Sequence, residues 1–291
     1  MTSKRIRNDR PQASSRAGAP GAPGEKWSPE GSTPDRRNRP ARPREDGDAW
    51  VWGWHAVTAA LANPGREPPT RLMVAPDKLE QAESKLGLHR ATLRAEPYDM
   101  NDIARMLPSG ASHQGVALRV PPPASTALED LAAEPGVIVM LDQITDPQNI
   151  GAVFRSAAAF GARGVILQDR HAPALGGVIA KASAGAIDAI PHARVTNLSR
   201  ALETLDGLGW RAVGLDGAAP APLDATLDRR PTVLVLGSEG EGLRRLVAEH
   251  CDALAHIAMP GGFESLNVSA AAAIALYEAS RAQRRAAAAD A

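Results

Sequence analysis

Apolar residues form short continuous runs along most of the chain, and from about residue 130 these runs alternate with segments of helical periodicity. Continuous apolar runs bounded by glycine or polar residues are typical of buried strands, whereas apolar positions recurring every three or four residues predict helices. Strands are predicted at 137–141, 165–167, 189–190, 211–215, 233–236 and 255–257, and helices at 150–160, 175–184, 198–205, 243–251 and 268–281. This alternation predicts an α/β fold with a parallel sheet covered on both faces.

A second, smaller set of elements precedes this region. Strands are predicted at 71–74 and 114–120, and helices at 56–62, 79–86 and 104–107. Together they indicate a small α/β domain that ends at the stiff run Pro121-Pro122-Pro123. The sequence therefore predicts one domain at 49–121, a linker at 122–134 and a larger domain at 135–284.

Both ends of the chain lack apolar periodicity, so residues 1–48 and 285–291 are predicted to be disordered. The whole chain has 33 basic and 33 acidic residues, but residues 1–48 hold eleven Lys/Arg and seven Asp/Glu. A basic tail before a mildly acidic body suits a polyanionic partner. An unstructured leader that aids solubility explains the same charge pattern equally well.

Composition narrows the class of protein further. The chain is 44% hydrophobic but only 3% aromatic, so aliphatic residues must build its core. The single cysteine, Cys251, excludes an intramolecular disulfide and a cysteine zinc cluster, and its helical setting predicts a buried core thiol rather than a nucleophile. There is neither a membrane-spanning apolar run nor the apolar core of a secretory signal. We therefore expect a cytoplasmic protein that needs no metal and no membrane.

Three polar segments each follow a predicted strand. They are Asp146-Pro147-Gln148-Asn149-Ile150-Gly151 with Arg155, Leu236-Gly237-Ser238-Glu239-Gly240-Glu241-Gly242-Leu243, and the stretch from His256 to Ser269. Ligands of parallel sheets bind beyond the carboxyl ends of the strands. The order of the elements therefore predicts that the three segments lie at one edge of the sheet.

The residue types suggest what each segment could do. Asn149, at a predicted helix N-cap, could fix the loop or a sugar hydroxyl, and Arg155 could bind a phosphate through two hydrogen bonds. The glycines of 237–242 allow close approach of a ligand, and the two acidic residues between them suit a cationic or hydroxyl-bearing one. Ser265 and Asn267 add donors at a helix start. Taken singly, each segment also has a purely structural explanation. The first could be an N-cap with a surface arginine, the second a tight turn, and the third a helix capped by Ser265.

Taken together, the three segments resemble the motifs of the SpoU, or TrmH-type, family of RNA ribose 2′-O-methyltransferases. The resemblance covers residues 137–281, with the motifs at 146–157, 236–243 and 257–269 in the family's order. Residues 53–57 (Gly-Trp-His-Ala-Val) and 113–117 (His-Gln-Gly-Val-Ala) make the first domain similar to the L30e-like RNA-binding domain of some members. The segment around Lys181 and Ser183 also resembles a recurring family segment, although a helical lysine is usually solvated.

The resemblance implies a C-terminal trefoil knot that binds S-adenosylmethionine, and a homodimer whose site is completed across the interface. Carried over by position, Gly237, Ile257 and Leu266 would hold the cofactor. Arg155 would be the central catalytic residue, and the supporting residues would be Asn149, Glu239, Ser265 and Asn267.

The function that the resemblance implies is ribose 2′-O-methylation of RNA, most similar to the members that modify a guanosine in 23S, or large-subunit, rRNA. The L30e-like domain favours rRNA. Three alternatives remain open: 2′-O-methylation of tRNA, 2′-O-methylation of another rRNA nucleoside, and a noncatalytic factor in RNA binding or ribosome assembly.

Overall fold

The first of two β-sheets lies near the start of the region that the computed structural model describes, which comprises residues 49–86, 93–262 and 265–289. Its strands are β1 (Ala49–Trp52), β2 (Arg71–Val74), β3 (Ala95–Pro97) and β4 (Val116–Val120), in the order β1-β4-β2-β3. The accompanying helices are α1 (Trp54–Ala62), α2 (Leu79–Leu86) and α3 (Met100–Met106). Strand β4 is antiparallel to both of its neighbours, and β2 is parallel to β3.

The second sheet has seven strands, in the order β7-β6-β5-β10-β8-β11-β9, and every pairing is parallel. These strands are β5 (Val137–Leu141), β6 (Gly164–Gln168), β7 (His192–Val195), β8 (Arg211–Leu215), β9 (Ala221–Pro222), β10 (Thr232–Leu236) and β11 (Ala253–His256). The helices are α4 (Leu128–Leu131), α5 (Pro147–Ala159), α6 (Gly177–Ala182), α7 (Leu198–Gly207), α8 (Leu223–Thr226), α9 (Arg245–Glu249) and α10 (Val268–Ala289). The chain is an α/β protein with a parallel sheet, as predicted.

Helices cover both faces of the central strands. Every residue of β5, β6 and β10 is buried. Side chains alternate along β5, so Val139 packs in the core with Phe154 of α5, whereas Met140 packs in a second core with Leu202 of α7. Burial on both faces explains why these strands are continuous apolar runs in the sequence.

Some predicted boundaries were wrong. Residues 189–190 are not a strand, because a 3₁₀ turn occupies Ala186–Asp188 and β7 begins only at His192, after Pro191. Proline cannot donate a ladder hydrogen bond, which places the strand start beyond it. The helix predicted at 104–107 begins earlier, at Met100.

Helix α5 also begins earlier than predicted, at Pro147 instead of residue 150. Asp146 is its N-cap, accepting a 3.1 Å hydrogen bond from the backbone N–H of Gln148, and proline is favoured at the first helical position. Asn149 is therefore not the N-cap. This shift leaves the Asn149 side chain free for contacts outside its own helix.

The two sheets belong to one compact unit and are joined by close packing. Gly177 of α6 lies so near the Trp52 ring and the Trp50 carbonyl oxygen that a Cβ there would overlap both. The Arg66 Nε donates a 2.5 Å hydrogen bond to Oδ1 of Asp188, and both side chains are almost fully buried. The first sheet and its helices, residues 49–121, are called the docked module below.

The predicted linker also contacts the larger sheet. The Thr126 N–H donates a 2.8 Å hydrogen bond to the His192 carbonyl, Ser125 Oγ accepts one from the Arg194 N–H, and α4 lies within the linker. At the other end, α10 continues past residue 284, the predicted domain limit. The predicted disorder of 1–48 lies outside the described residues. In the described ranges, no helix is both long enough and apolar enough to cross a membrane.

Stability is expected to fall in mild acid because of His192. Burial, with a smaller contribution from Arg194, lowers the pKa of His192 to about 4, so the ring is neutral in the native state. The unfolded chain binds a proton below pH ~6.5 that the native state does not bind. Between about pH 6.5 and pH 4 this difference costs about 3 kcal/mol of stability. Urea unfolding of wild type and His192→Gln at pH 7 and 4.5 should show a smaller acid loss in the variant; equal losses would contradict this origin.

Candidate active site

A cavity of about 700 Å³ opens at the carboxyl ends of β8, β10 and β11. It is lined by residues 215–218, 236–243, Ala255, Ile257, Met259, 265–268 and Ala271. Strand β10 sits between β5 and β8, so the strand order changes direction here, which is where α/β sheets bind ligands. The volume lies within the range of small-molecule sites, about 300–1,000 Å³.

Beside this cavity the three polar segments meet in a cluster of Asn149, Glu239 and Asn267. The Asn267 Nδ2 donates to Glu239 Oε1 at 2.8 Å and to Asn149 Oδ1 at 3.0 Å. The Asn149 Nδ2 donates to the same Glu239 oxygen at 3.2 Å. The three side chains, which are far apart in sequence, therefore hold one another in a fixed arrangement.

Asn267 is also the N-cap of α10. Its Oδ1 accepts hydrogen bonds from the Ser269 N–H at 3.0 Å, the Ser269 hydroxyl at 2.5 Å and the Ala270 N–H at 3.4 Å. The alternative of a cap by Ser265 is thus wrong. Because Asn267 uses its oxygen for the helix and its amide N–H groups for the cluster, the helix start fixes the orientation of the cluster.

The glycine-rich loop presents Glu239 through its own tight geometry. Ser238 and Gly242 exchange backbone hydrogen bonds of 3.1 and 3.0 Å, and Gly240 and Gly242 have positive φ angles of 93° and 68°. A Cβ at Gly237 would overlap the Gly242 backbone. Glycine is therefore required at these positions, and Glu239 projects from the turn that they form.

Gly237, Ile257 and Leu266, the predicted cofactor residues, line the cavity. Ser265, predicted to support catalysis, also lines it. Ser265 has no hydrogen-bond partner among the described residues. The structure thus places all of the predicted site residues at one edge of the sheet except one.

The exception is Arg155. It is exposed on α5, is absent from the cavity lining, and pairs with nothing in the part of the chain that the structure describes. Arg155 lies six positions after Asn149 on the same helix, which corresponds to about 9 Å along the axis and about 240° around it. Within one chain, Arg155 therefore points away from the cluster.

Behind the site lies a partly buried ion pair that sequence reasoning missed. Asp142, whose side chain is fully buried, accepts hydrogen bonds from Arg244 Nε at 2.7 Å and from the Arg244 N–H at 2.9 Å. This contact ties the end of β5 to the loop after β10. A carboxylate directly after a buried strand was the available signal, because a buried charge requires a partner. Asp216, which lines the cavity after β8, was also missed.

Cys251 is expected to react slowly with alkylating reagents. Burial, assisted by the charges of Asp252 and Asp142, raises the pKa of its thiol to about 12, and Sγ lies 3.3 Å from the Val247 carbonyl oxygen. Since the thiolate is the reactive form, only about one molecule in ten thousand is reactive at pH 8. Iodoacetamide labelling at pH 8 should be slow in the native protein and fast in guanidinium; equal rates would contradict the prediction. Cys251 is partly buried, packs against the second core and lies just after the end of α9, so it is not the fully buried helical thiol that was predicted.

Across the described segments, no group of three or more His, Cys, Asp or Glu residues is arranged to hold a metal ion.

Comparison with known proteins identifies the family. Residues 136–277 match the model of the SpoU rRNA Methylase family. A relative from Mycobacterium ulcerans, described as an uncharacterized tRNA/rRNA methyltransferase, is 39% identical over 260 residues, covering 86% of this chain and 82% of that protein. The chain belongs to the SpoU methylase family, as its motifs predicted.

Other similarities agree with this family. A relative of the same description from Mycolicibacterium smegmatis is 46% identical over 63% of this chain, and the alignment spans 60% of that relative's length. The SpoU methyltransferase AviRb from Streptomyces viridochromogenes, solved with AdoMet, is 26% identical with a TM-score of 0.70, covering 83% of this chain and 92% of AviRb. A structure described as an RNA 2′-O ribose methyltransferase is 26% identical with a TM-score of 0.67, covering 83% of this chain and 90% of that one.

Proposed function

We propose that this protein is an S-adenosylmethionine-dependent ribose 2′-O-methyltransferase acting on RNA. The observation that carries the proposal is the Asn149–Glu239–Asn267 cluster beside a cavity of cofactor size. The complex of AviRb with AdoMet and the neighbour described as an RNA 2′-O ribose methyltransferase support the same chemistry.

The residues of the cavity suit this cofactor. Among the described residues that line it, the charged ones are Asp216, Glu239 and Glu241, all acidic, which favours a cationic ligand. Ile257 and Leu266 supply apolar walls for a purine, and Gly237 leaves the backbone accessible. When bound, S-adenosylmethionine supplies an electrophilic methyl group on a sulfonium. The C-terminal trefoil knot that the family resemblance implies is part of this proposal.

Glu239 is the group best placed to receive the ribose hydroxyl. Its Oε1 accepts three hydrogen bonds, from Asn149, Asn267 and the Val268 N–H, the last at 3.3 Å. Its Oε2 accepts none from the described residues and can accept one from a hydroxyl. A ribose 2′-OH is a poor nucleophile near pH 7, so orientation and partial proton removal are what the site must supply.

We propose that the protein is a homodimer and that Arg155 of each subunit acts in the active site of the other subunit. A guanidinium is a planar donor of several hydrogen bonds, so the role proposed for Arg155 is to bind the phosphate and orient the hydroxyl. Helix α10 exposes Ile274 and Tyr277, which are 38% and 45% accessible, and it packs against α5, the helix that carries Arg155. An apolar face of this kind suits a self-complementary contact, and α10 also begins at the cavity.

The proposed substrate is large-subunit rRNA, at a guanosine, and the proposed location is the cytoplasm. The docked module, which resembles an L30e-like RNA-binding domain, is the feature that supports rRNA. Methylation of tRNA remains the alternative, since the relatives' descriptions name both RNAs.

A methyl-transfer assay tests the proposal. Purified protein with labelled S-adenosylmethionine is expected to methylate ribose in rRNA and not in tRNA. Asn267→Asp keeps the acceptor that caps α10 but loses both amide donors, so its turnover should fall about a hundredfold, with near-normal folding. Label on a base would contradict the ribose proposal, and label in tRNA alone would favour the alternative substrate. RNA binding without any transfer would favour a noncatalytic factor.

A further inference from the structure

Asp216 is a carboxylate of the cavity lining that takes no part in the Asn149–Glu239–Asn267 cluster. It follows β8 directly, whereas Glu239 follows β10 and contacts α5 on the opposite side. Strand β8 lies on the side of β10 away from β5, so Asp216 borders the cavity on the side away from α5 and Asn149. The end at Asp216 is bordered by β11 and its continuation, Ile257.

The local structure of Asp216 leaves one carboxylate oxygen available. Its Oδ1 accepts a 2.8 Å hydrogen bond from the Ala218 N–H, which closes a short turn, and its backbone N–H is bonded to the Ala255 carbonyl at 3.0 Å. Oδ2 receives no hydrogen bond within the described residues, and the side chain is exposed at the cavity. The aspartate is therefore held in place by two bonds while one acceptor faces the space for a ligand.

We infer that Asp216 binds the ribose hydroxyls of the adenosine part of the cofactor, an inference that rests on the proposed function. The reacting methyl group must lie near Glu239, so the adenosine extends toward the other end of the cavity. The apolar wall from Ile257 and Ala255 suits the purine, and the ribose attached to the purine lies next to that wall. A carboxylate oxygen is a strong acceptor for a hydroxyl donor.

Two cofactor analogues with an uncharged sulfur distinguish a contact with the ribose from a contact with the amino-acid end of the cofactor. S-adenosylhomocysteine contains adenine, ribose and the amino acid, whereas methylthioadenosine lacks the amino acid. Methylthioadenosine is uncharged, so loss of a nearby negative charge does not by itself change its affinity. A ribose contact therefore predicts that Asp216→Asn weakens both probes by a similar factor, about tenfold or more.

The experiment is isothermal titration calorimetry of the full chain with each probe. Asp216→Asn retains an oxygen for the Ala218 turn, and its thermal midpoint reports whether it is folded. Asp224→Asn is the matched control, because Asp224 is exposed on α8 and outside the cavity lining, and its affinities should equal those of wild type.

The outcomes are distinct. Weakening of both probes in folded Asp216→Asn supports the inference. Weakening of S-adenosylhomocysteine alone would assign Asp216 to the ammonium group and overturn the inference, as would unchanged affinity for both probes. Failure of wild type to bind either probe would instead overturn the proposed cofactor, so the two failures are separable.

Discussion

A dimer with Arg155→Ala in one subunit and Asn267→Asp in the other is expected to regain about half of the wild-type methyl transfer, although either homodimer loses about a hundredfold. The reason is geometric: Arg155 lies outside the cavity of its own chain, whereas Asn267 lines it. If Arg155 acts across the interface, the mixed dimer has one complete site and one site with both defects.

Differently tagged subunits, co-expressed and purified through both tags in sequence, provide the mixed dimer for this measurement. A dimer of two wild-type subunits carrying the same two tags is the control for activity lost through tagging and purification. If the activity of the mixed dimer stays at the level of the single variants, Arg155 acts within its own chain. A monomeric mass for the wild-type protein in solution would overturn the proposed dimer itself.

Asp188→Ala should destabilise the protein by about 3–5 kcal/mol, because it leaves the Arg66 guanidinium buried without its partner. Asp188 accepts hydrogen bonds from Arg66 Nε and from Arg66 Nη2 at 3.1 Å, and a further one from Asn63 Nδ2 at 3.0 Å. Arg66 also donates to the Pro121 carbonyl. The loss is measured by urea unfolding with a probe in each sheet.

Asp102→Ala is the matched control. Asp102 is paired with Arg105, but both side chains are exposed, so its removal should cost less than about 1 kcal/mol. A change of the same small size in Asp188→Ala would show that the Arg66–Asp188 pair contributes little to joining the two sheets.

The strands that were predicted accurately are those with continuous apolar runs. The predicted limits of β2, β5 and β8 agree with the structure, because a continuous apolar run directly indicates a buried strand. The two residues of β9 and the four of α4 are too short for any periodicity to show. Helix starts were displaced where a cap decided them, as at Asp146.

The site was predictable as a set of residues but not as a set of contacts. Strand order at the edge of a parallel sheet is enough to expect that three loops meet, and the cluster of Asn149, Glu239 and Asn267 follows from it. Which atoms pair depends on side-chain directions that periodicity does not contain.

Lys181 illustrates contacts that cross between the two sheets. A helical lysine was expected to be solvated, but its Nζ donates a 3.2 Å hydrogen bond to Gln114 Oε1, and partial burial lowers its pKa. Gln114 Oε1 also accepts a 3.3 Å hydrogen bond from the Trp54 N–H. The partners are separated by at least sixty positions, so only the packing of the docked module on α6 reveals them.

The contact at Gly177 limits how this protein can exchange parts with its relatives. Since a side chain at residue 177 would overlap β1, the surface of α6 and the docked module must change together. A chimaera that imports only residues 49–121 from another family member would bring a new β1 against an old α6. An exchange that also includes residues 177–188 transfers both sides of the contact between β1 and α6, and Asp188 with them. Such an exchange is expected to preserve a folded protein.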